Sequence, residues 1–299
     1  MWTRESFERH WNTCQPDGFF ERFVAWNALK YLASWVNRTM LVYLPDIRLN
    51  ARLAGPAAGP ALVFSHALGT NLSIWDGVLA HLPGYRTLTY DHRGHGASDT
   101  SPARYAMGAL IRDAERLMDH FAVKDAVFIG VCLGGLVAQG LAVKRLDLIR
   151  ALVLSNTAAR IGTAELWAAR TAQIRADGLE SYADAALQRQ LGPQWRDHPQ
   201  MPKLRQMLTN TDPDGWAGCA AAIGGADFYA TTATLRLPVL VVAGTRDGST
   251  PPDLVRETAE LVPGHQFALM RQVGHLPMVE KPAEYAALLR GFLERIGHV

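Results

Sequence analysis

Cys132 lies between Gly130 and Gly134, directly after an apolar run from Ala126 to Ile129 that predicts a strand. This is the G-x-nucleophile-x-G pattern of a sharp turn from a strand into a helix, with a thiol at the nucleophile position. Glycines suit such a turn because they lack the Cβ that would crowd it. The helix N-terminus offers free N–H groups that favour a negatively charged sulfur. The pattern therefore predicts a nucleophile, against the alternative of a small cysteine buried in the core.

A thiol nucleophile needs a base, and the histidine is expected last in chain order, after the nucleophile and an acid. His275 lies in a loop between a predicted strand and a predicted helix. His198 and His265 lie in polar turns, which favour surface positions. We therefore predict His275 as the base; the alternative is a histidine that only completes a turn.

The acid that orients the base should follow another strand. Asp247 follows the apolar strand predicted over Pro238–Ala243. The competing position at the end of a strand carries Asn156, whose amide cannot serve as a carboxylate. We predict Asp247 as the acid, with turn capping as its alternative role.

A site for acyl transfer also needs hydrogen-bond donors for the oxyanion. One donor is expected to be the backbone N–H of Leu133, the residue after the nucleophile. The second is expected in the loop after an earlier strand, at the N–H of Leu68, with Ala67 as the alternative.

Predicted strands and helices alternate along most of the chain. The predicted strands are Ile47–Leu53, Ala61–Phe64, Arg86–Tyr90, Ala126–Ile129, Ala151–Leu154, Pro238–Ala243 and Phe267–Met270. The helices between and after them are Leu72–Leu82, Tyr105–Phe121, Leu136–Val143, Pro251–Leu261 and Ala283–Ile296. This alternation predicts an α/β fold with a mostly parallel sheet and helices on both faces. Ligands then bind at the carboxyl ends of the strands, where Cys132 lies.

Two segments depart from this alternation. Residues 156–235 contain only helical patterns, Thr163–Ala176, Leu179–Leu191, Pro202–Asn210 and Asp214–Ile223, and predict a cap inserted over the site. The core is then residues 46–155 and 236–299. Residues 1–45 predict a helical extension, amphipathic from about Phe19 to Trp35. It could pack on the domain, serve as a dimer contact or lid, or be an upstream stretch before a start at Met40.

The charge, cysteine count and apolar runs of the chain limit the kinds of partner that we expect. The 299 residues carry a net charge of +2, which offers no electrostatic argument for nucleic acid. Three cysteines are too few and too scattered for a disulfide framework, and no run reaches the roughly 18 apolar residues of a membrane span. The charged N-terminus does not match a signal peptide. We expect a cytoplasmic protein without a membrane partner, and a homo-oligomer stays open.

The segment Asp91–Asp99 raises the question of a metal, because His92 and His95 lie between its two aspartates. Metal ligands usually converge from ordered elements, whereas two glycines and an arginine interrupt this run. We expect a structural turn near the site and no metal.

These motifs together resemble the α/β-hydrolase superfamily and, more narrowly, 3-oxoadipate enol-lactonases. The resemblance covers about residues 47–296 and includes Ser65-His-Ala-Leu-Gly-Thr-Asn71, Tyr90-Asp-His-Arg-Gly-His-Gly-Ala-Ser-Asp99 and Ser155-Asn-Thr-Ala-Ala-Arg-Ile-Gly162. It implies an α/β-hydrolase fold with a helical cap and a catalytic triad. That family ordinarily carries serine at the turn, whereas the Gly-Val-Cys-Leu-Gly-Gly run around Cys132 resembles dienelactone hydrolases, which act on related lactones.

The resemblance implies hydrolysis of 3-oxoadipate enol-lactone to 3-oxoadipate, a step of the β-ketoadipate pathway of aromatic compound catabolism. No cofactor is expected. A carboxylated lactone calls for a cation in the pocket, and the candidates are Arg160 and Arg170, although cap arginines are often only solvated. Trp167 and Trp216 are candidates for the pocket wall, with ordinary packing inside the cap as the alternative.

Two other functions stay open. The same scaffold could serve a dienelactone, small-ester or thioester hydrolase. A protein that binds a ligand without hydrolysing it is a second alternative, disfavoured because the acid and the histidine are both present.

Overall fold

The computed structural model describes residues 39–102, 104–195 and 197–299. In this part of the chain eight strands form one sheet: β1 (Thr39–Tyr43), β2 (Arg48–Ala54), β3 (Ala61–Ser65), β4 (Arg86–Tyr90), β5 (Ala126–Val131), β6 (Ile149–Ser155), β7 (Val239–Gly244) and β8 (Gln266–Met270). Their order is β1-β2-β4-β3-β5-β6-β7-β8. The pairs β1–β2 and β2–β4 are antiparallel, and the other pairs are parallel. The mostly parallel sheet predicted from the sequence is confirmed.

The helices follow the strands in the alternation expected for this class. They are α1 (Asp76–Leu79), α2 (Met107–His120), α3 (Leu133–Lys144), α4 (Ala164–Gln190), α5 (Met201–Thr209), α6 (Pro213–Gly224), α7 (Tyr229–Ala233), α8 (Pro252–Glu260), α9 (Pro277–Glu280) and α10 (Pro282–Arg295). Short 3-10 turns cover Leu72–Trp75 and Pro193–Trp195. No helix of the described residues is long and apolar enough to cross a membrane.

The centre of the sheet holds the core. Every residue of β3, β5 and β7 is buried, so these strands read as continuous apolar runs. Parallel strands covered by helices on both faces have this pattern, because neither face meets water. The carboxyl ends of β5, β6, β7 and β8 lie side by side, since these four strands are parallel neighbours. Residues that follow these strands therefore meet at one edge.

Between β6 and β7 the described residues form helices and no strand. The two helices predicted over Thr163–Ala176 and Leu179–Leu191 both lie within α4, which consists of two helices that meet at a kink at Gly178. Gly178 has φ +78°, a conformation that suits a residue without Cβ. The limits of the cap, residues 156–235, stay a prediction.

Two further differences from the sequence analysis concern local patterns. Residues 39–43 were assigned to the helical extension but form β1, which pairs with β2 at the sheet edge. Residues 44–47 join β1 to β2, so the two strands form an antiparallel hairpin. The helix predicted over Phe19–Trp35 lies outside the described residues. The predicted helix Leu72–Leu82 is a 3-10 turn followed by the short helix α1.

Candidate active site

Cys132 forms the corner between β5 and α3. Its backbone has φ 54° and ψ −113°, a conformation that L-residues rarely adopt and that marks strain at a functional turn. The flanking glycines are required by close packing: a Cβ on Gly130 would lie 2.2 Å from the carbonyl oxygen of Gly134, and one on Gly134 would lie 2.2 Å from that of Ser65. The side chain of Cys132 is almost fully buried and lines a pocket.

His275 and Asp247 lie at the ends of the two strands beyond. Asp247 follows β7, and His275 lies between β8 and α9. The Nδ1 atom of His275 lies 2.7 Å from Oδ2 of Asp247, and both side chains are buried. Since Asp247 accepts at Nδ1, that nitrogen carries the proton and Nε2 is left to act on a neighbouring group. The structure thus brings together the acid and the base that the sequence indicated.

The Asp247 carboxylate accepts hydrogen bonds at both oxygens. Oδ2 also accepts from Nδ2 of Asn156 at 2.7 Å and from Oγ1 of Thr250 at 2.7 Å. Oδ1 accepts from the backbone N–H of Ser249 at 2.7 Å and of Thr250 at 3.1 Å. Burial would raise the pKa of Asp247, but the charge of His275 and these side-chain hydrogen bonds hold it below its usual value. Asp247 is therefore ionised at neutral pH.

The imidazole of His275 lies between this carboxylate and the thiol. Burial would lower the pKa of His275, but the charges of Asp247 and Cys132 and the hydrogen bonds to both raise it well above its usual value. A protonated imidazole is therefore favoured next to the sulfur of Cys132. A pair of this kind supplies both a nucleophile and a proton donor.

Donors for an oxyanion lie next to the sulfur. Leu133 is the first residue of α3, and Leu68 lines the same pocket as Cys132. Within the described ranges, neither the Leu133 N–H nor the Leu68 N–H has a protein acceptor. The Ala67 carbonyl, in contrast, accepts from the N–H and the hydroxyl of Thr70 and so fixes the Leu68 loop.

The cap supplies the other wall of the pocket. Trp167, Arg170 and Trp216 line it, together with Cys132 and His275. The guanidinium of Arg170 lies over the ring of Trp167, 4.9 Å from its centroid. The two tryptophan rings lie 6.3 Å apart and tilted, as in other aromatic pairs.

Arg160 requires a correction. It does not line the pocket: its side chain is 48% exposed, and its guanidinium lies 3.8 Å from Asp227. Arg160 precedes Gly162, a residue with φ +68° at which the chain turns into α4, and the turn directs this arginine to the surface. Position in the motif indicated the right segment but not the direction of the side chain.

Arg189, near the end of α4, lines the pocket in its place and was not singled out from the sequence. Its Nη2 donates to the hydroxyl of Tyr182 at 2.9 Å. Its Nε is buried and has no acceptor in the part of the chain that the structure describes. The run Leu187-Gln-Arg-Gln190 has no motif, so only the kinked path of α4 identifies this arginine.

The segment Asp91–Asp99 is a structural turn beside the Leu68 loop. Asp91 accepts from the backbone N–H of Leu72 at 2.7 Å, and Nε2 of His95 accepts from the N–H of Gly69 at 3.0 Å. Burial lowers the pKa of His95 to about 3, so this ring is neutral and can accept. In residues 39–299, apart from the two that are not described, no cluster of His, Cys, Asp and Glu could hold a metal ion.

Comparisons with known proteins show the family. Residues 60–282 match the family model described as alpha/beta hydrolase fold. The chain belongs to the α/β-hydrolase family.

Among its relatives is 3-oxoadipate enol-lactonase 2 of Acinetobacter baylyi, 34% identical over 253 residues that span 84% of this chain and 94% of that protein. A putative carbamate hydrolase RutD of Variovorax paradoxus is 28% identical over 83% of this chain and 97% of its own. The crystal structure of the enol-lactonase from Burkholderia xenovorans superposes with a TM-score of 0.82 at 32% identity, over 85% of this chain and 100% of that one.

Proposed function

We propose that this protein is a carboxylic ester hydrolase that opens a small carboxylated enol-lactone, 3-oxoadipate enol-lactone, to 3-oxoadipate. Cys132 is the nucleophile, His275 the general base and acid, and Asp247 the group that orients the imidazole. The similarity to enol-lactonases supports the choice of lactone.

The reaction proceeds in two steps. The Cys132 sulfur attacks the lactone carbonyl, and the thiol proton is held by His275. The ring C–O bond then breaks, the leaving enol oxygen takes the proton from the imidazolium, and the enol converts to a ketone. In the second step His275 takes a proton from water, which attacks the thioester and releases the thiolate and the free carboxylic acid.

The backbone N–H groups of Leu68 and Leu133 stabilise the negative oxygen in both steps. Donors already in place act on charge that develops only in the transition state, so they lower the barrier without reorganisation. Their lack of other acceptors in the described ranges supports this role.

One observation carries the choice of an anionic substrate. Among the described residues that line the pocket there are two arginines, Arg170 and Arg189, and no carboxylate. A guanidinium binds a carboxylate through parallel N–H donors, and the buried Nε of Arg189 has an unused donor. We assign the substrate carboxylate to this wall, which Trp167 and Trp216 complete.

A substrate panel tests the proposal. We expect rapid loss of enol-lactone absorbance and slower turnover of a dienelactone and of p-nitrophenyl acetate. The dienelactone holds its carboxylate on a rigid exocyclic double bond, and p-nitrophenyl acetate has neither a lactone ring nor a carboxylate. If either alternative compound is turned over faster, that compound replaces the enol-lactone as the proposed substrate. A stable adduct in intact-protein mass spectra, without turnover, would indicate a binding protein instead.

The nucleophile is tested with two cysteine variants. Cys132→Ala is expected to lower kcat at least about 10³-fold, because no covalent step is left. Iodoacetamide should inactivate the wild type, and substrate should protect it. Cys219→Ala is the matched control: this thiol is fully buried near the Arg93 carbonyl oxygen, so its loss should leave kcat unchanged. Full activity of Cys132→Ala would reject the mechanism.

A further inference from the structure

Asn156 follows β6 directly and touches both partners of the nucleophile. Its Nδ2 donates to Oδ2 of Asp247 at 2.7 Å and to the carbonyl oxygen of Gly274 at 3.2 Å. Gly274 precedes His275, so one amide group contacts the acid and the backbone of the base. The side chain is fully buried.

The backbone of Asn156 is held as firmly as its side chain. Its N–H donates to the carbonyl oxygen of Val242 in β7 at 2.9 Å. Its φ is +43°, a left-handed conformation that asparagine tolerates better than most residues. The Oδ1 atom is buried and has no hydrogen-bond partner among the described residues. An unsatisfied buried acceptor is unfavourable, so the amide is present at a cost to folding.

The next residue contacts the third member of the site. Thr157 donates its hydroxyl to the carbonyl oxygen of Cys132 at 2.7 Å. Asn156 and Thr157 therefore contact, in succession, the acid, the loop of the base and the turn of the nucleophile. This two-residue segment links the ends of β5, β7 and β8.

We propose that Asn156 is a positioning residue that holds the Asp247 carboxylate and the His275 loop in register through the two donors of its amide. The proposal rests on the proposed catalytic roles of Cys132, His275 and Asp247. Asn156 acts through Asp247. Because Asn156 and Thr250 both donate to Oδ2, the carboxylate is held in a fixed orientation toward the Nδ1 proton of His275.

Asn156→Asp is the variant that separates donation from packing. Aspartate has nearly the same shape and also tolerates a positive φ, so the fold is preserved while the two donors are lost. At pH 8 we expect kcat per active site to fall about 10- to 100-fold with KM within about twofold, the scale of a small misplacement at a catalytic site. Active sites are counted by iodoacetamide labelling of Cys132.

The pH dependence provides the signature that a structural role would not produce. The amide nitrogen of Asn156 lies 2.7 Å from Oδ2 of Asp247, and two carboxylates at such a distance repel each other, so the pair takes up one proton at a higher pH than a lone carboxyl group does. The carboxyl group introduced by Asn156→Asp therefore shares a proton with Asp247 as the pH falls. The shared proton restores a donor at this position, so the ratio of variant to wild-type kcat should rise about tenfold between pH 8 and pH 5.5.

The titratable groups around this position are the same in both proteins, so the ratio reports what the new carboxyl group adds, including its effect on Asp247. They are Asp247, His275 and Cys132, with Glu280 behind Gly274, where it accepts from the Gly274 N–H at 2.8 Å. Asn210→Asp, which adds the same charge at an exposed position at the end of α5, is the control and should show a flat ratio near one.

A ratio for Asn156→Asp that is flat with pH, or a kcat within twofold of the wild type at pH 8, would overturn the proposal. The measurement is made with the enol-lactone and with p-nitrophenyl acetate. If only the ester is hydrolysed and the pH signature is present, the lactone assignment fails and the role of Asn156 stands. If Cys132→Ala keeps full activity, both fail.

Discussion

The acid on the sheet side of the site and the arginines on the cap side differ in how completely they are hydrogen-bonded. On the sheet side, Asp247 accepts hydrogen bonds at both oxygens, three of them from the side chains of His275, Asn156 and Thr250. On the cap side, Arg189 has a buried Nε without an acceptor, and Arg170 lies over Trp167 without a carboxylate partner among the residues described.

This difference corresponds to two tasks. Groups that act on the reacting bond are most effective when they are fixed before the substrate arrives, because no reorganisation is then needed. Groups that select a substrate must keep donors free for it. The sheet edge therefore suits chemistry common to many esters, and the cap wall suits recognition of one class of acid.

The two walls are joined at one segment, the end of α4. The Arg189 carbonyl oxygen accepts from the Gly248 N–H at 3.0 Å, next to Asp247, and the Gln190 carbonyl oxygen accepts from the His275 N–H. The same segment thus carries Arg189, to which we assign the substrate carboxylate, and supports the loops of Asp247 and His275. The predictions below test how far the two walls act separately.

The largest effect is expected on the sheet side, from Asp247→Asn. An amide has an NH₂ group that must face either the donors His275, Asn156 and Thr250 at Oδ2 or the N–H of Ser249 at Oδ1. At Oδ2 the NH₂ removes the acceptor that sets the tautomer of His275. At Oδ1 it meets the N–H groups of Ser249 and Thr250, and the uncharged oxygen that faces His275 no longer stabilises the imidazolium. We expect kcat to fall about 10³- to 10⁴-fold with KM little changed.

Asp227→Asn is the control for this loss. Asp227 is exposed and lies near Arg160 on the cap, away from the pocket, so its variant should keep wild-type kcat. A fall of less than tenfold for Asp247→Asn would show that the fixed side of the pocket does not depend on this carboxylate.

An intermediate effect is expected on the cap side, from Arg189→Gln. Removing a charged donor from a carboxylate costs about 1.5–3 kcal/mol, so KM for the carboxylated lactone should rise about 10- to 100-fold. kcat should change little, and hydrolysis of uncharged p-nitrophenyl acetate should be unaffected. Steady-state kinetics on both substrates measure the difference.

Arg160→Gln is the matched control, because Arg160 lies outside the pocket and its variant should leave KM unchanged. Equal increases in KM for the charged and the uncharged substrate in Arg189→Gln would mean that this arginine supports the fold of the wall and does not select an anion.

The smallest effect is expected at the junction, from Glu280→Gln. Burial raises the pKa of Glu280 from 4.5 to about 7, although the N–H groups of Gly192 and Gly274 donate to it. Between these values the folded state binds the proton more tightly than the unfolded chain. The stability that Glu280 contributes is therefore present at low pH and lost as the pH rises toward 7.

Melting temperatures of the two proteins at pH 5 and pH 7.5 test this prediction. The melting temperature of the wild type minus that of Glu280→Gln should decrease by a few degrees as the pH rises. Glu260→Gln, at an exposed position of α8, is the control and should give a constant difference. An increase with pH would mean that the ionised carboxylate is the form that joins the two walls.

Much of the sheet could be predicted because its signals are local. The runs at β5 and β7 are apolar at every position, and the glycines around Cys132 leave few alternatives to a sharp turn. β1 was missed because it was assigned to the helical extension, although Val42 and Tyr43 favour a strand and its partner β2 follows directly after residues 44–47. The division of α4 into two helices was also predicted, and its break falls at Gly178, whose φ of 78° is not helical.

The sequence by itself determined the chemical groups of the site, because backbone sterics at Gly130-Val-Cys-Leu-Gly134 and the order of strand ends restrict the candidates to Cys132, Asp247 and His275. Only the tertiary structure decided which side chains face them. Asn156 reaches Asp247 and Gly274 across 91 and 118 residues of chain, and the path of α4 directs Arg189 inward while Arg160 faces water. Side-chain direction depends on packing between distant elements, and no local pattern records it.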